Sequence, residues 1–132
     1  MPDFTLAATC AAPPEEVWKL LHDPARFPEW WAGLDRVERA SGAEEETFYR
    51  SAWPDFAYPT RVTARQEGRA MIVSCQVSLV DQEWVLEPDG AGCRVQVRVS
   101  YPEAEAARLE QFRQEAAGSL PRLVALAEAS AA

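Results

Sequence analysis

The chain has 132 residues, of which 48% are hydrophobic, so it can form one domain, residues 1–132, with a real core and is too short for two. Its 21 acidic and 13 basic residues give a formal net charge of −8, which argues against a nucleic-acid or an anionic lipid partner. No apolar run approaches the roughly 20 residues of a membrane span, and no secretory leader is recognisable, so we expect a cytoplasmic protein without membrane insertion.

Three cysteines, Cys10, Cys75 and Cys93, occur at spacings that match no metal-binding motif. Their odd number also argues against a disulfide framework, so we expect free thiols that pack as small apolar side chains. No other pattern indicates a metal site or an organic cofactor, and we expect neither.

The N-terminal part of the chain predicts one strand followed by two short helices. Residues 3–10 alternate between apolar and polar side chains, which is typical of a strand with one buried face. Two prolines end this strand, and Glu15–Leu21 is predicted to be a helix because acidic residues occupy its first turn. A second short helix is predicted over Ala25–Trp31. We expect its two tryptophans to form a lid over one end of the core, where Trp30 could also gate an entrance.

The middle of the chain predicts strands only, because it is rich in Val, Thr, Tyr and Trp and is divided by short turns. The turns are predicted at Ser41-Gly42, Pro54-Asp55, Glu67-Gly68 and Asp89-Gly90. The strands are predicted at Leu34–Ala40, Glu46–Trp53, Tyr58–Gln66, Ala70–Leu79, Gln82–Glu87 and Cys93–Tyr101. Their short connections favour an antiparallel meander, and the clean alternation in the last strand indicates one dry and one wet sheet face.

The last segment, Tyr101–Ala132, predicts one long amphipathic helix. Its apolar residues recur every three or four positions: Leu109, Phe112, Ala116, Leu120, Leu123 and Ala127. Gly118 and Pro121 interrupt the pattern, and we expect a bend between Ala117 and Pro121. The order of elements therefore predicts an α+β fold in which a seven-stranded antiparallel sheet curls around the final helix.

Several segments resemble the START-related (Bet v 1-like, SRPBCC) superfamily, in its polyketide cyclase/dehydrase-like branch. They are Ala12–Pro24, Phe27–Trp31, Trp84–Pro88, Gly92–Val95 and Ser119–Leu123. The resemblance covers nearly the whole chain and implies the helix-grip fold of that superfamily. It also implies a cavity between the curved sheet and the long helix, where members hold lipids, sterols, polyketides or other apolar molecules. None of these segments is a catalytic motif, and the fold alone does not select a function.

The candidate ligand-binding residues are those that strand parity and the helical stripe direct toward that cavity. They are Tyr58, Thr60, Met71, Val73, Cys75, Trp84, Leu86, Val97, Leu109, Phe112 and Ala116. The set is mainly apolar and would suit an apolar ligand, although each of these residues could equally be part of an ordinary core.

The sequence offers few groups for catalysis. His22, the only histidine, lies at the predicted end of the first helix, where we expect a solvated residue that neither folding nor activity requires. Cys75 has no histidine available to activate it, so we expect it to be packing.

Other polar residues could contribute hydrogen bonds within the cavity, namely Tyr49, Tyr58 and Tyr101. The parity of the strand that contains Tyr49 leaves open whether Tyr49 or Arg50 faces inward. We expect Arg50 to point outward, because an unpaired buried charge is costly.

Three classes of function fit these observations. The favoured one is non-catalytic binding of a small hydrophobic molecule of lipid, polyketide or aromatic type. The second is a polyketide cyclase, aromatase or dehydratase, which the lack of an inward base disfavours, and the third is a protein-binding module that uses an exposed sheet edge. The sequence leaves undecided the ligand, the choice between monomer and homodimer, and whether the cavity is open or filled by side chains.

Overall fold

The computed structural model describes residues 1–132, and its seven strands form one antiparallel sheet. The strands are β1 (Asp3–Cys10), β2 (Leu34–Glu38), β3 (Glu46–Arg50), β4 (Trp53–Gln66), β5 (Ala70–Cys75), β6 (Asp81–Asp89) and β7 (Gly92–Ser100). Their order in the sheet is β1-β7-β6-β5-β4-β3-β2, so consecutive strands pair as a meander and β1 closes against β7. The sequence-based prediction of an α+β helix-grip fold is confirmed.

Two α-helices and two 3₁₀ segments complete the fold. Helix α1 (Pro14–Leu21) and a 3₁₀ helix (Pro24–Glu29) follow β1, and a second 3₁₀ helix (Glu103–Arg108) leads into α2 (Leu109–Ala131). The predicted helix over Ala25–Trp31 is thus a shorter 3₁₀ helix. The Asp23 carboxylate accepts a 3.3 Å hydrogen bond from the amide of Ala25 and fixes its start.

The turn predicted at Pro54-Asp55 is wrong. The chain turns instead at Ser51-Ala52, and β4 then runs as one 14-residue strand that contains both Pro54 and Asp55. Pairing between β4 and β5 begins only at Thr60 opposite Cys75, so the first part of β4 has an open edge. Proline is tolerated at such strand ends and edges because few ladder hydrogen bonds are lost there.

The predicted strand Ala70–Leu79 ends early, at Cys75. The amide of Leu79 donates a 2.9 Å hydrogen bond to the carbonyl of Cys75, which closes a tight turn. Leu79 adopts φ = 62°, the only positive value at a non-glycine residue of the chain. The apolar residues Val77 and Leu79 favour a longer strand in the sequence-based prediction. The positive φ of Leu79 instead reverses the direction of the chain.

Helix α2 continues without a break through Gly118 and Pro121. The helix comes close to the loop after the first 3₁₀ helix, since a Cβ atom at Gly118 would lie 3.1 Å from the Cβ of Ala32. At the same place the Ser119 hydroxyl donates to the carbonyl of Glu115 (2.7 Å) and accepts from the amide of Ala32 (2.9 Å). The absence of a side chain at Gly118 therefore lets α2 pack closely against Ala32.

The core lies between the inner face of the sheet and the helices. Helix α2 packs on β1, β7 and α1, and its residues Leu123 and Ala127 are fully buried there. The inward alternation of β7 is regular, with Cys93, Val95, Val97 and Val99 at most 1% exposed. No helix of the structure is both long enough and apolar enough to cross a membrane.

Candidate functional site

A cluster of large aromatic side chains occupies the inner face of the sheet. We call Phe27, Trp30, Trp31, Phe48 and Trp84 the aromatic cluster. Ring centroids are 5.2 Å apart for Trp30 and Trp84, and 5.6 Å apart for Trp31 and Phe48, both in edge-to-face contact. Trp30 is completely buried, so the hypothesis that it gates an entrance is wrong; its segment inserts into the core instead.

Two hollows lie along this inner face, and the inward residues of β4 divide between them. Tyr58 and Thr60 line the first, which we call the cavity, whereas Val62 and Ala64 line the second. Trp31 and Phe48 of the aromatic cluster line the cavity, and Trp84 is paired in register with Met71, which lines the second hollow. The space expected to be one binding chamber is therefore largely filled by aromatic rings.

The cavity has a volume of about 40 Å³. Its apolar and aromatic wall consists of Trp31, Phe48, Tyr58, Val73, Cys75, Val80 and Phe112, and its polar wall consists of Arg50, Thr60, Ser78, Gln82, Arg108 and Glu115. One water molecule needs roughly 10–15 Å³ by this measure, so the cavity holds about three waters. Pockets that enclose a drug-sized ligand are several times larger, at roughly 300–1,000 Å³. In this conformation the cavity encloses one end of a ligand at most.

An ion pair crosses the cavity between the sheet and α2. Arg50 at the end of β3 pairs with Glu115, and the Gln82 side-chain amide donates a 3.2 Å hydrogen bond to the second oxygen of the same carboxylate. The Arg50 and Glu115 side chains are only 22% and 13% exposed. Because the pair is formed in partly buried surroundings, it is far less screened than a surface pair.

The expectation that Arg50 points outward is wrong. A register shift between Phe48 and Arg50 interrupts the pairing of β3 with β4, so simple alternation no longer tells which face a residue occupies. Tyr49 instead packs under the Arg36 guanidinium, 3.8 Å from its ring centroid. Glu115 offsets the cost of burying Arg50, and it lies on α2 rather than on a strand.

Buried indole groups add unpaired hydrogen-bond donors. The Nε1 atoms of Trp30, Trp31 and Trp84 are buried and have no acceptor. An unsatisfied buried donor costs about 1–3 kcal/mol, so such groups are few in folded proteins. Trp31 also lines the cavity through its ring, whereas its Nε1 atom is buried.

The structure brings part of the predicted site together. Tyr58, Thr60, Val73, Cys75 and Phe112 line the cavity, and Met71 lines the second hollow. Trp84, Leu86, Val97 and Ala116 are buried in the core, and Leu109 is half-buried against it. Sequence reasoning missed Arg108 and Glu115 as polar groups of the cavity and placed Arg50 outside it, whereas strand parity directs Gln82 inward as observed. Helical spacing indicates Glu115, because a residue three positions after Phe112 lies on the same face of α2.

The second hollow is more polar and more open. His22 and Glu67 line it together with Glu46, a nearly buried carboxylate whose one ionic neighbour is Arg39 at 3.9 Å. His22 is exposed and its ring centroid lies 6.1 Å from that of Trp18. No hydrogen bond joins His22 to a carboxylate, and its dispensability stays a prediction.

The cysteines are free in the structure. Cys10 and Cys93 are buried and directly opposite each other in β1 and β7. Burial, and then the neighbouring Cys10 thiol, raises the pKa of Cys93 from 9.0 to about 12, so this thiol stays neutral at ordinary pH. Cys75 is half-buried on the wall of the cavity.

A sequence model of the family described as polyketide cyclase/dehydrase and lipid transport matches residues 1–128. Comparison with curated protein sequences gave no match. Many solved structures share the fold. Protein CV1439 from Chromobacterium violaceum is 20% identical, with a TM-score of 0.75 over 97% of this chain and 99% of that one.

Two further solved structures show the same fold. Protein XoxI from Bacillus cereus is 15% identical, with a TM-score of 0.76 and 94% of each chain covered. The di-domain ARO/CYC protein BexL from the BE-7585A biosynthetic pathway is 18% identical, with a TM-score of 0.74 over 93% of this chain and 46% of that one. This chain therefore spans about half of BexL. At these identities the likeness establishes the fold.

Proposed function

Because the chain belongs to the polyketide cyclase/dehydrase and lipid transport family, we propose that it binds a small hydrophobic molecule between the sheet and α2. The observation that carries the proposal is the cavity itself, which joins an apolar wall to a small set of convergent polar groups.

The size of the cavity sets how such a ligand would sit. About 40 Å³ admits a polar or cyclic end of the molecule, and the remainder must extend through the mouth or displace Phe112. Phe112 is the aromatic residue that α2 contributes to the cavity wall, so a displacement of its ring would enlarge the cavity.

Native mass spectrometry of protein purified from its own host tests the proposal. We expect a non-covalent small-molecule adduct that is released on denaturation. The variant Cys75→Phe, which adds a ring to the cavity wall, should lose the adduct. Its matched control Ser74→Phe adds the same ring one residue earlier, at a position that does not line the cavity, and should keep it. An adduct that survives Cys75→Phe unchanged would place the ligand elsewhere.

A second candidate function is catalysis of the cyclase type, which the Arg50–Glu115–Gln82 network favours. Glu115 supplies the carboxylate and Tyr58 the phenol that an enolisation would need as base and acid, and both line the same cavity. The test is the intramolecular aldol closure of 2,6-heptanedione and its dehydration to 3-methylcyclohex-2-enone, followed by ultraviolet absorbance. A rate above background that Glu115→Gln abolishes would establish catalysis, and a rate equal to background would favour the binding protein.

A further inference from the structure

The mouth of the cavity is surrounded by exposed apolar side chains. We call Trp53, Phe56, Val77 and Leu79 the apolar rim; they are 50–62% exposed. Each lies next to a residue of the cavity wall. The ring of Phe56 is 4.6 Å from that of Tyr58, and Trp53 is paired in register with Arg50. Val77 and Leu79 flank Ser78 in the chain. The rim therefore adjoins the cavity wall through strand pairing, ring contact and chain neighbours.

One residue of the apolar rim, Leu79, has a strained backbone conformation. Its φ of 62° lies in the left-handed region, which a branched L-residue rarely adopts. Two backbone hydrogen bonds hold the turn. The Leu79 amide donates to the Cys75 carbonyl (2.9 Å), and the Cys75 amide donates to the Val80 carbonyl (3.0 Å). The side chain is 58% exposed, so core packing does not offset the strain. Strained positions of this kind concentrate at ligand-binding sites.

The interior of the cavity has the opposite character, because it is rich in donors. Two of its three charged residues are arginines, Arg50 and Arg108, in a chain whose net charge is −8. The Gln82 amide donates into the cavity network. Glu115 is the one carboxylate there and currently occupies the acceptor position on Arg50.

We propose that the ligand is an amphipathic organic anion whose carboxylate head enters the cavity and replaces Glu115 as the partner of Arg50. Its apolar body lies on the apolar rim. This inference rests on the proposed function and names its ligand class. The space of about 40 Å³ suits a carboxylate and excludes the chain attached to it, and the rim provides the apolar surface that the chain requires.

Three probes with the same chain and different heads test the head group: octanoate, octan-1-ol and octylammonium, each titrated at pH 7 and followed by nitrogen–proton NMR. We expect octanoate to bind at least about tenfold more tightly than octanol, because a charge-assisted hydrogen bond to Arg50 replaces a neutral one. The largest shifts should occur at the Trp31 indole and the Arg50 side chain. Butyrate should bind more weakly than octanoate because it cannot cover the rim.

The outcomes separate this inference from the proposed function. Equal binding of octanol or octylammonium at the cavity would overturn the inference and leave a small-molecule binding protein. Failure of all three probes while the co-purified adduct is present would do the same. Failure of all three together with the absence of any adduct would overturn both.

Variants at the rim and at Glu115 provide the second test. Asparagine tolerates a positive φ, so Leu79→Asn should keep the melting temperature while weakening octanoate about fivefold through the loss of apolar contact. Leu79→Met restores an apolar side chain and should recover the affinity. Glu115→Gln removes the competing carboxylate and should strengthen octanoate several-fold without affecting octanol. Unchanged octanoate affinity in both Leu79→Asn and Glu115→Gln would overturn the inference.

Discussion

At the scale of single residues, the Arg50–Glu115 pair is the feature that most affects both stability and chemistry. A partly buried charge is tolerated when its partner is present and costly when the partner is removed. The pair also links β3 to α2 across the cavity. Loss of the pair should therefore weaken the packing of β3 against α2 as well as change the charge of the site.

We expect Arg50→Met to lower the free energy of unfolding by about 1–3 kcal/mol, because it leaves the Glu115 carboxylate with Gln82 as its one remaining donor. The double variant Arg50→Met/Glu115→Leu should recover most of that loss, since neither charge then remains. Urea unfolding of the two single variants and the double variant measures the coupling. Additive losses would show that the two side chains do not interact in solution.

The pKa of the Cys93 thiol gives a prediction for alkaline pH. The folded-state pKa is raised from 9.0 to about 12, so above pH 9 the unfolded chain releases a proton that the folded chain retains. The free energy of unfolding should therefore fall as pH rises from 9 toward 12, and Cys93→Ala should show a smaller decline over that range.

Alkylation kinetics check the same point at neutral pH. Iodoacetamide should modify Cys75 first, because it is half-buried, whereas Cys10 and Cys93 should react only on the timescale of unfolding. Rapid labelling of Cys93 in the folded protein would contradict the raised pKa.

Residue-level prediction from the sequence succeeded where alternation was regular. The inward positions Tyr58, Thr60, Val73 and Cys75 were predicted from strand parity, and they line the cavity. Strand parity left the direction of Arg50 open, and a register shift beside it interrupts the alternation. Arg50 was mispredicted because its charge is paired with Glu115 of a distant element.

At the scale of elements, α2 has two regions with different surroundings. Leu123 is completely buried among β1, α1 and the core, whereas Phe112 lines the cavity and contacts the Tyr101 ring at 5.9 Å. Deleting side-chain atoms at the first position leaves a void in packed surroundings, while deleting them at the second enlarges a space that already exists.

We expect Leu123→Ala to destabilise the protein by about 2–5 kcal/mol, the range for a buried leucine. Phe112→Ala should cost less and should change ligand affinity. Chemical denaturation and octanoate titration of both variants give the comparison. Equal and large stability losses would identify Phe112 as ordinary core and remove it from the site.

The kinds of elements were predictable and their ends were less so. All seven strands and the long helix follow from periodicity, but the hairpin between β3 and β4 was displaced because Pro54-Asp55 has the composition of a turn. The close contact of Gly118 with Ala32 joins residues distant in sequence, and no local pattern encodes it.

At the scale of the whole molecule, the architecture follows from the order of elements. The extent to which side chains fill the space between the sheet and α2 does not. Whether the space between sheet and helix is open depends on where Phe27, Trp30 and Trp31 pack. The sequence shows only that so short a segment must bury them somewhere. The structure places all three inside and leaves about 40 Å³ on one side of them.

Removing one ring of the aromatic cluster should enlarge the chamber. Trp84→Ala should cost about 3–5 kcal/mol as a large core deletion and should admit longer ligands, so that dodecanoate gains affinity relative to octanoate. Thermal unfolding and the two titrations measure this, with Leu123→Ala as the control, since Leu123 is buried and lies outside the cluster and the rim. An unchanged ratio of the two affinities in Trp84→Ala would show that the cluster does not limit ligand size.

The aromatic cluster also makes the molecule its own optical probe. Centroid separations of 5.2 Å for Trp30 and Trp84, 5.5 Å for Trp30 and Trp31, and 6.4 Å for Trp31 and Trp84 are short enough for their electronic transitions to couple. Such a fixed triad of indoles should give an exciton couplet in circular dichroism that vanishes on unfolding. Because Trp31 also forms the cavity wall, any molecule that enters should perturb the couplet and the emission of all three rings. Occupancy can then be followed without attaching a label.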